Sequence, residues 1–198
     1  MMERSSDILT FWFGEDYKPG VDPEFRREWF VKDPEFDGLI AEKFSDGIEP
    51  AVRGDYDEWA ETAHGRLALI LLLDQFPRNL FRGSPRSWTQ DYLAQMHTLE
   101  GIERGHDEAL SVVERAFFYL PLEHSEDLHL QELSVEKFQL LADLAPDLAA
   151  SDGGFLDYAV RHHEIIERFG RFPHRNEVIG RPSTDEELAF LEQPNSSF

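Results

Sequence analysis

Arginine, histidine, asparagine and carboxylate side chains gather at three places where apolar helical runs end. The first is Asp74-Gln75-Phe76-Pro77-Arg78-Asn79, followed by Arg82. The second is Glu123-His124-Ser125-Glu126. The third begins at His162, on the apolar stripe of Phe155, Tyr158, Ala159, Ile165, Ile166 and Phe169. It runs past Gly170 and Pro173 to His174-Arg175-Asn176 and Arg181. The first and third echo each other, Phe-Pro-Arg-Asn against Phe-Pro-His-Arg-Asn. Arg78, Arg82, Arg175 and Arg181 offer forked donors, and Asn79 and Asn176 offer neutral hydrogen bonds. Glu123, Glu126, His124 and His174 can move protons or orient a partner. With Asp74 and His162 added, the set suits a small ligand bearing a carboxylate or a phosphate, provided that the three corners meet.

The same residues also have a reading without a ligand. Arginines held by Asp74, Glu123 and Glu126 would tie helix ends together, and the asparagines would satisfy terminal backbone groups. His162, on a buried stripe, reads first as a hydrogen-bonded core histidine. A metal is not expected. Glu126-x-x-His129 has the spacing of carboxylate-bridged centres, but such bundles carry that motif twice with two further glutamates, and one copy stands here. No His-Glu-x-x-His, phosphate-cradling glycine loop or Gly-x-Ser-x-Gly elbow occurs, so no cofactor and no catalytic residue is named. Two functions remain open. One is binding of, or action on, a small anionic metabolite at the three corners. The other is a helical scaffold gripping a partner protein or peptide, with the polar corners purely structural.

The elements that must carry these corners are helical. From Asp57 a long helix becomes apolar around its whole circumference between Leu67 and Leu73, which predicts the central buried helix. Pro77 is expected to end it, because proline lacks an N–H and restricts the residue before it. Two copies of Asp-Pro-Glu-Phe, at 22–25 and 33–36, each read as a helix start, with a capping aspartate before a proline at the first helical position. Ser111-Val-Val-Glu114 and Thr184-Asp-Glu-Glu187 are capping boxes, and Ser125 is expected to cap the helix after it. Ser151-Asp-Gly-Gly154 marks a break before the helix that carries His162. No β-branched alternation is present, so the chain reads as all-α, with about eight to ten helices packed as antiparallel pairs. Its length suits a single domain over 1–198, ordered from about 7 to 191, with the tail 193–198 expected to be disordered.

Composition limits the partners. A net charge of -21 repels nucleic-acid phosphates and anionic lipid, so neither nucleic acid nor membrane is expected as a partner. Two of the corners lie in short segments that are net positive: residues 74–86 carry +2 and 168–182 carry +3, leaving -26 on the remainder. Without cysteine there is no disulfide and no thiolate chemistry. Met1 to Asp7 has no apolar signal core, and Leu67 to Leu73 falls far short of the ~20 apolar residues that span a bilayer. A cytoplasmic protein is expected. The sequence does not express an oligomeric state.

Four stretches, taken together, carry a family resemblance. They are Phe11-Trp12-Phe13-Gly14; Leu67 to Arg82; Leu120-Pro-Leu-Glu-His-Ser-Glu126; and Phe169-Gly-Arg-Phe-Pro-His-Arg-Asn176 with Gly180-Arg181 and Ser183-Thr184. In this order they resemble domain-of-unknown-function family 924, over about Asp7 to Leu191. The resemblance implies an all-α fold, grouped with tetratricopeptide-like helical repeats, in a mainly bacterial family. It brings no established catalytic residues with it. No 34-residue period is evident in the chain itself.

Overall fold

A computed structural model describes residues 5–146, 154–194, 196 and 197. The protein is helical, and no strand occurs among the described residues. The chain forms two compact units, one of Met1–Arg82 with Arg86–Pro121, the other of Gly83–Pro85 with Leu122–Phe198.

In the first unit α1 (Ser5–Phe13) buries Ile8, Leu9, Trp12 and Phe13. Trp12 sits among Phe36, Phe76 and Phe117, at ring separations of 5.8, 5.7 and 5.4 Å, a spacing at which aromatic edges and faces attract. The second Asp-Pro-Glu-Phe behaves as expected. Asp33 accepts from the Glu35 and Phe36 N–H groups and opens α2 (Pro34–Phe44), with α3 (Ile48–Val52) after it. The first copy does not start a helix. Asp22 instead accepts from the Val113 N–H, 2.8 Å away, and so caps a helix distant in sequence, while its own stretch forms only a 3-10 turn at Arg27–Trp29. A carboxylate spent on that distant donor is not available to its local turn. Asp33→Ala and Asp22→Ala should therefore each cost about 1 kcal/mol in urea denaturation. No loss for Asp22→Ala would show that the long-range cap contributes nothing.

The central helix begins later than the sequence suggests. Asp57–Glu61 is a 3-10 turn, and Thr62 caps α4 (Ala63–Ile70) by accepting from the Gly65 N–H. Leu67 to Leu73 is buried throughout, as its apolar circumference predicts. Pro77 does not end the helix. Leu71–Gln75 forms a π turn, with the Phe76 N–H bonded to the Leu71 carbonyl, and α5 (Phe76–Leu80) continues beyond it. The wider i→i+5 turn re-registers the ladder just where proline could neither donate nor tolerate the usual carbonyl. Two further helices follow, α6 (Asp91–Glu103) and α7 (Val112–Glu123), and α7 runs on through Pro121. The Ser111 capping box is present, with Ser111 N–H on Glu114 and Glu114 N–H on the Ser111 hydroxyl.

In the second unit α8 (Leu128–Leu144) packs against α9 (Phe155–Phe169). The cap of α8 is Asp127 rather than Ser125. Asp127 accepts from His129 and Leu130, whereas the Ser125 hydroxyl accepts from the Asp127 N–H, so the shorter side chain serves one turn upstream. The break expected at Ser151 to Gly154 lies outside the described residues except for Gly154. α9 ends at Gly170, whose φ of +65° is the left-handed cap that glycine adopts without strain. Ile165, Ile166 and Phe172 form a core there, with Phe169 and Phe190 packed against it. A 3-10 turn, Pro173–Arg175, leads into α10 (Asn176–Ile179), and Thr184 and Glu187 close the capping box of α11 (Asp185–Leu191). In the tail beyond, Ser196 is buried and donates to the Leu191 carbonyl.

Candidate functional site

The first corner lies in the first unit and is laced to carboxylates. Asp74 is fully buried and accepts from Gln75 at 2.6 Å. Arg78 reaches Asp74 at 3.1 Å and grips both oxygens of Asp91, at 2.8 and 2.9 Å. Asp37 takes Asn79 at 2.8 Å and the fork of Arg82 at 2.8 and 3.0 Å. Burial would raise the Asp37 carboxyl, but the hydrogen bonds from Arg82 and Asn79 outweigh it and hold it below the usual carboxylate range. Two-point grips of this kind are the strong form of an arginine–carboxylate contact. Of the carboxylates that hold these arginines, the sequence pointed to Asp74 but not to Asp37 or Asp91. Asp37 stands in the first turn of α2 and Asp91 opens α6, positions that read as ordinary helix-start acids.

The second and third corners lie in the second unit and meet where His124 approaches His162 and Arg175, with the Phe172 ring beside His162, His174 and Arg175. His162, on the inner face of α9, lies 5.5 Å from Phe172 between ring centres and 6.3 Å from His124. His174 lies 5.6 Å from the same ring, and the Arg175 guanidinium sits over its face at 4.4 Å, a cation–π distance. Arg175 also donates to the His124 carbonyl at 3.1 Å, tying the third corner to the second. His162 and Glu123 are both 3% exposed, which makes them the most secluded ionisable pair of the cluster. His162 Nδ1 is 2.8 Å from the Tyr158 carbonyl and 3.2 Å from Glu123. A carbonyl only accepts, so Nδ1 carries the proton and the ring is held with a fixed tautomer. Burial pushes the His162 pKa well below 6.5, and the neighbouring His124 adds to the push, so the ring stays neutral.

Glu126 and Arg181 belong to a neighbouring frame. Arg181 grips Glu126 at 2.6 and 2.8 Å, the Phe172 N–H donates to Glu126 at 2.8 Å, and Arg181 donates to the Asn176 side-chain carbonyl at 2.9 Å. Fully buried Asn176 completes the frame by donating to Ser183 at 3.0 Å. Burial would raise the Glu126 pKa, but Arg181 and the Phe172 amide lower it below the usual range. These contacts hold the backbone on which Phe172, His174 and Arg175 stand. Gln131, which the sequence did not single out, supports the other corner. Its amide donates to the Glu123 and Ser125 carbonyls at 2.5 and 2.7 Å, fixing the turn that carries His124.

A second buried carboxylate escaped the sequence reading. Glu114, known only as half of a capping box, is fully buried and receives the Tyr17 hydroxyl, the Gly20 N–H at 3.2 Å and the Ser111 N–H at 2.7 Å, with His64 Nε2 3.2 Å away. Among the described residues no group of three or more His, Asp or Glu could hold a metal ion. Among them, too, no helix is long and apolar enough to cross a membrane.

No curated protein matches the chain. A solved structure of a protein of unknown function from Agrobacterium tumefaciens is 40% identical, with a TM-score of 0.83, over 96% of this chain and 97% of that one. The family model described as "Bacterial protein of unknown function (DUF924)" matches residues 8–195, and the chain belongs to that family.

Proposed function

We propose that the protein binds a small anionic metabolite at the His124, His162, His174, Arg175 and Glu123 cluster. The observation that supports this is the gathering of three imidazoles, a guanidinium and a carboxylate: His162, His174 and Arg175 stand against the Phe172 ring, while His124 and Glu123 stand beside His162. Cationic and neutral N–H donors crowded on a rigid, largely buried frame suit a carboxylate or phosphate group. Asp74, Arg78, Asn79 and Arg82 then serve chiefly to fasten their own helix end, through Asp37 and Asp91. Glu126, Asn176 and Arg181 hold the frame of the site. A cytoplasmic setting is part of the proposal.

With -21 on the chain, long-range attraction of an anion is absent, and a Debye length of about 8 Å at physiological salt confines the favourable field to the site itself. Affinity must come from close contact, which favours a small ligand over a polyanion. A thermal-shift screen with inorganic phosphate, succinate, citrate and sugar phosphates tests the reading. At least one should raise the Tm of the wild type, and Arg175→Ala should lose most of that rise. Arg181→Ala should instead lower the Tm without ligand. If no anion stabilises the wild type, or if Arg175→Ala responds fully, the proposal fails.

A further inference from the structure

Arg66, on α4, is fully buried. Its fork is occupied on every side. Nη2 and Nε donate to the Ala60 carbonyl at 2.9 and 3.2 Å, and Nη1 donates to the His97 carbonyl and to Glu100, both at 3.1 Å. Nε also faces His106 Nδ1 at 3.2 Å. A guanidinium only donates, so His106 Nδ1 must accept, and the neutral ring carries its proton on Nε2. A proton arriving at Nδ1 would set one N–H against another and place a second cation beside a buried one.

The surroundings offer a second cation little relief. The turn before α4 contributes Asp57 and Glu61, α6 contributes His97 and Glu100, and Arg104 follows at its end. Glu100 is already shared, at 3.1 Å from Arg66 and 2.8 Å from Arg104, and Glu61 lies 3.5 Å from Arg104. Beyond His106, Asp107 takes the Tyr119 hydroxyl at 2.7 Å, and His64 on α4 lies against Glu114. His97 Nδ1 is itself buried, with no hydrogen-bond partner among the described residues. Gly101, on α6, leaves room for this packing: a Cβ there would come within 2.6 Å of Arg66 Cδ and 2.4 Å of the Phe118 ring.

We propose that Arg66 and His106 form an acid-released latch. With His106 neutral, Arg66 ties the 57–61 turn to the C-terminal end of α6, and protonation of His106 at Nδ1 lets that end come away. The segment set free begins at Gly101, whose carbonyl holds the His106 N–H at 2.8 Å, and includes Gly105, bonded to Ile102 at 3.0 Å. Burial first, and the Arg66 charge second, lower both His97 and His106 below the ordinary 6.5. A histidine depressed in the folded state binds more protons when its segment opens. Its stabilising effect is therefore complete above the unfolded pKa and is lost as the pH falls through that value towards the folded one.

Hydrogen exchange on the intact protein, corrected for intrinsic rates, tests this. Protection of the Gly105 and His106 amides should hold above pH 7 and fall by up to about tenfold per pH unit below about 6.5, while that of Ile40 in α2 stays level. His106→Gln, which can accept from Arg66 but cannot be protonated, should give a flat profile. Constant protection in the wild type, or the same fall in His106→Gln, overturns the latch. Should that variant fold poorly, imidazole 15N shifts of the wild type decide: an Nε2–H tautomer at neutral pH is expected, and an Nδ1–H tautomer rejects the proposal.

Discussion

Glu114→Ala should cost the first unit about 3–5 kcal/mol, because it leaves buried donors without the carboxylate that gathers them. Tyr17, Gly20 and Ser111 all donate to that one side chain, and His64 stands beside it. Together they fasten the long irregular stretch between α1 and α2 to the start of α7. Burial would raise the Glu114 pKa, but His64, Tyr17 and the Ser111 amide outweigh it and lower it below 4.5. A carboxylate depressed on folding stabilises above its unfolded pKa, and that contribution fades as the pH drops through the folded value. Glu114→Gln should fall between the wild type and alanine, since an amide keeps the shape but turns one acceptor into a donor. Urea denaturation at pH 7 measures all three. A loss below about 1 kcal/mol for Glu114→Ala would show that water replaces the carboxylate at little cost.

Leu71→Ala should cost about 2–5 kcal/mol. Leu71 is fully buried at the first position of the π turn, between α4 and α5, in a stretch with no solvent-facing side on which the gap could collapse. Leu39→Ala, at a position 38% exposed on α2, should cost far less because most of its apolar surface is not transferred from water. Equal losses at the two positions would contradict the central place assigned to the Leu67 to Leu73 segment.

The helical character, the buried run 67–73, the inner face of His162 and the caps at Asp33, Ser111 and Thr184 were all legible in the sequence. Each depends on residues within a turn or two of one another, and a 3.6-residue period or a side chain reaching a nearby N–H is written directly into the order of residues. The boundaries at Asp57 and Pro77 were less legible. Both depend on a local choice among α, 3-10 and π hydrogen bonding, and those forms differ too little in intrinsic preference for composition to select one.

The pairings were decided only in three dimensions. Asp22 and Asp33 open identical four-residue motifs, yet one caps its own helix and the other caps α7, 91 residues away. Asn79 meets Asp37 across 42 residues, and Tyr17 meets Glu114 across 97. Each arginine of this acidic chain had many carboxylates to choose from, and electrostatics carry no address along the sequence. Which donor meets which acceptor follows from how the apolar faces pack, and packing brings together residues whose separation in the chain gives no sign of their contact. The sequence could therefore name the polar corners of this protein, but the tertiary structure alone determined that two of them meet, with His124 beside His162 and Arg175 and with Glu126 on the Phe172 amide, while Arg78 and Arg82 are gripped by Asp91 and Asp37.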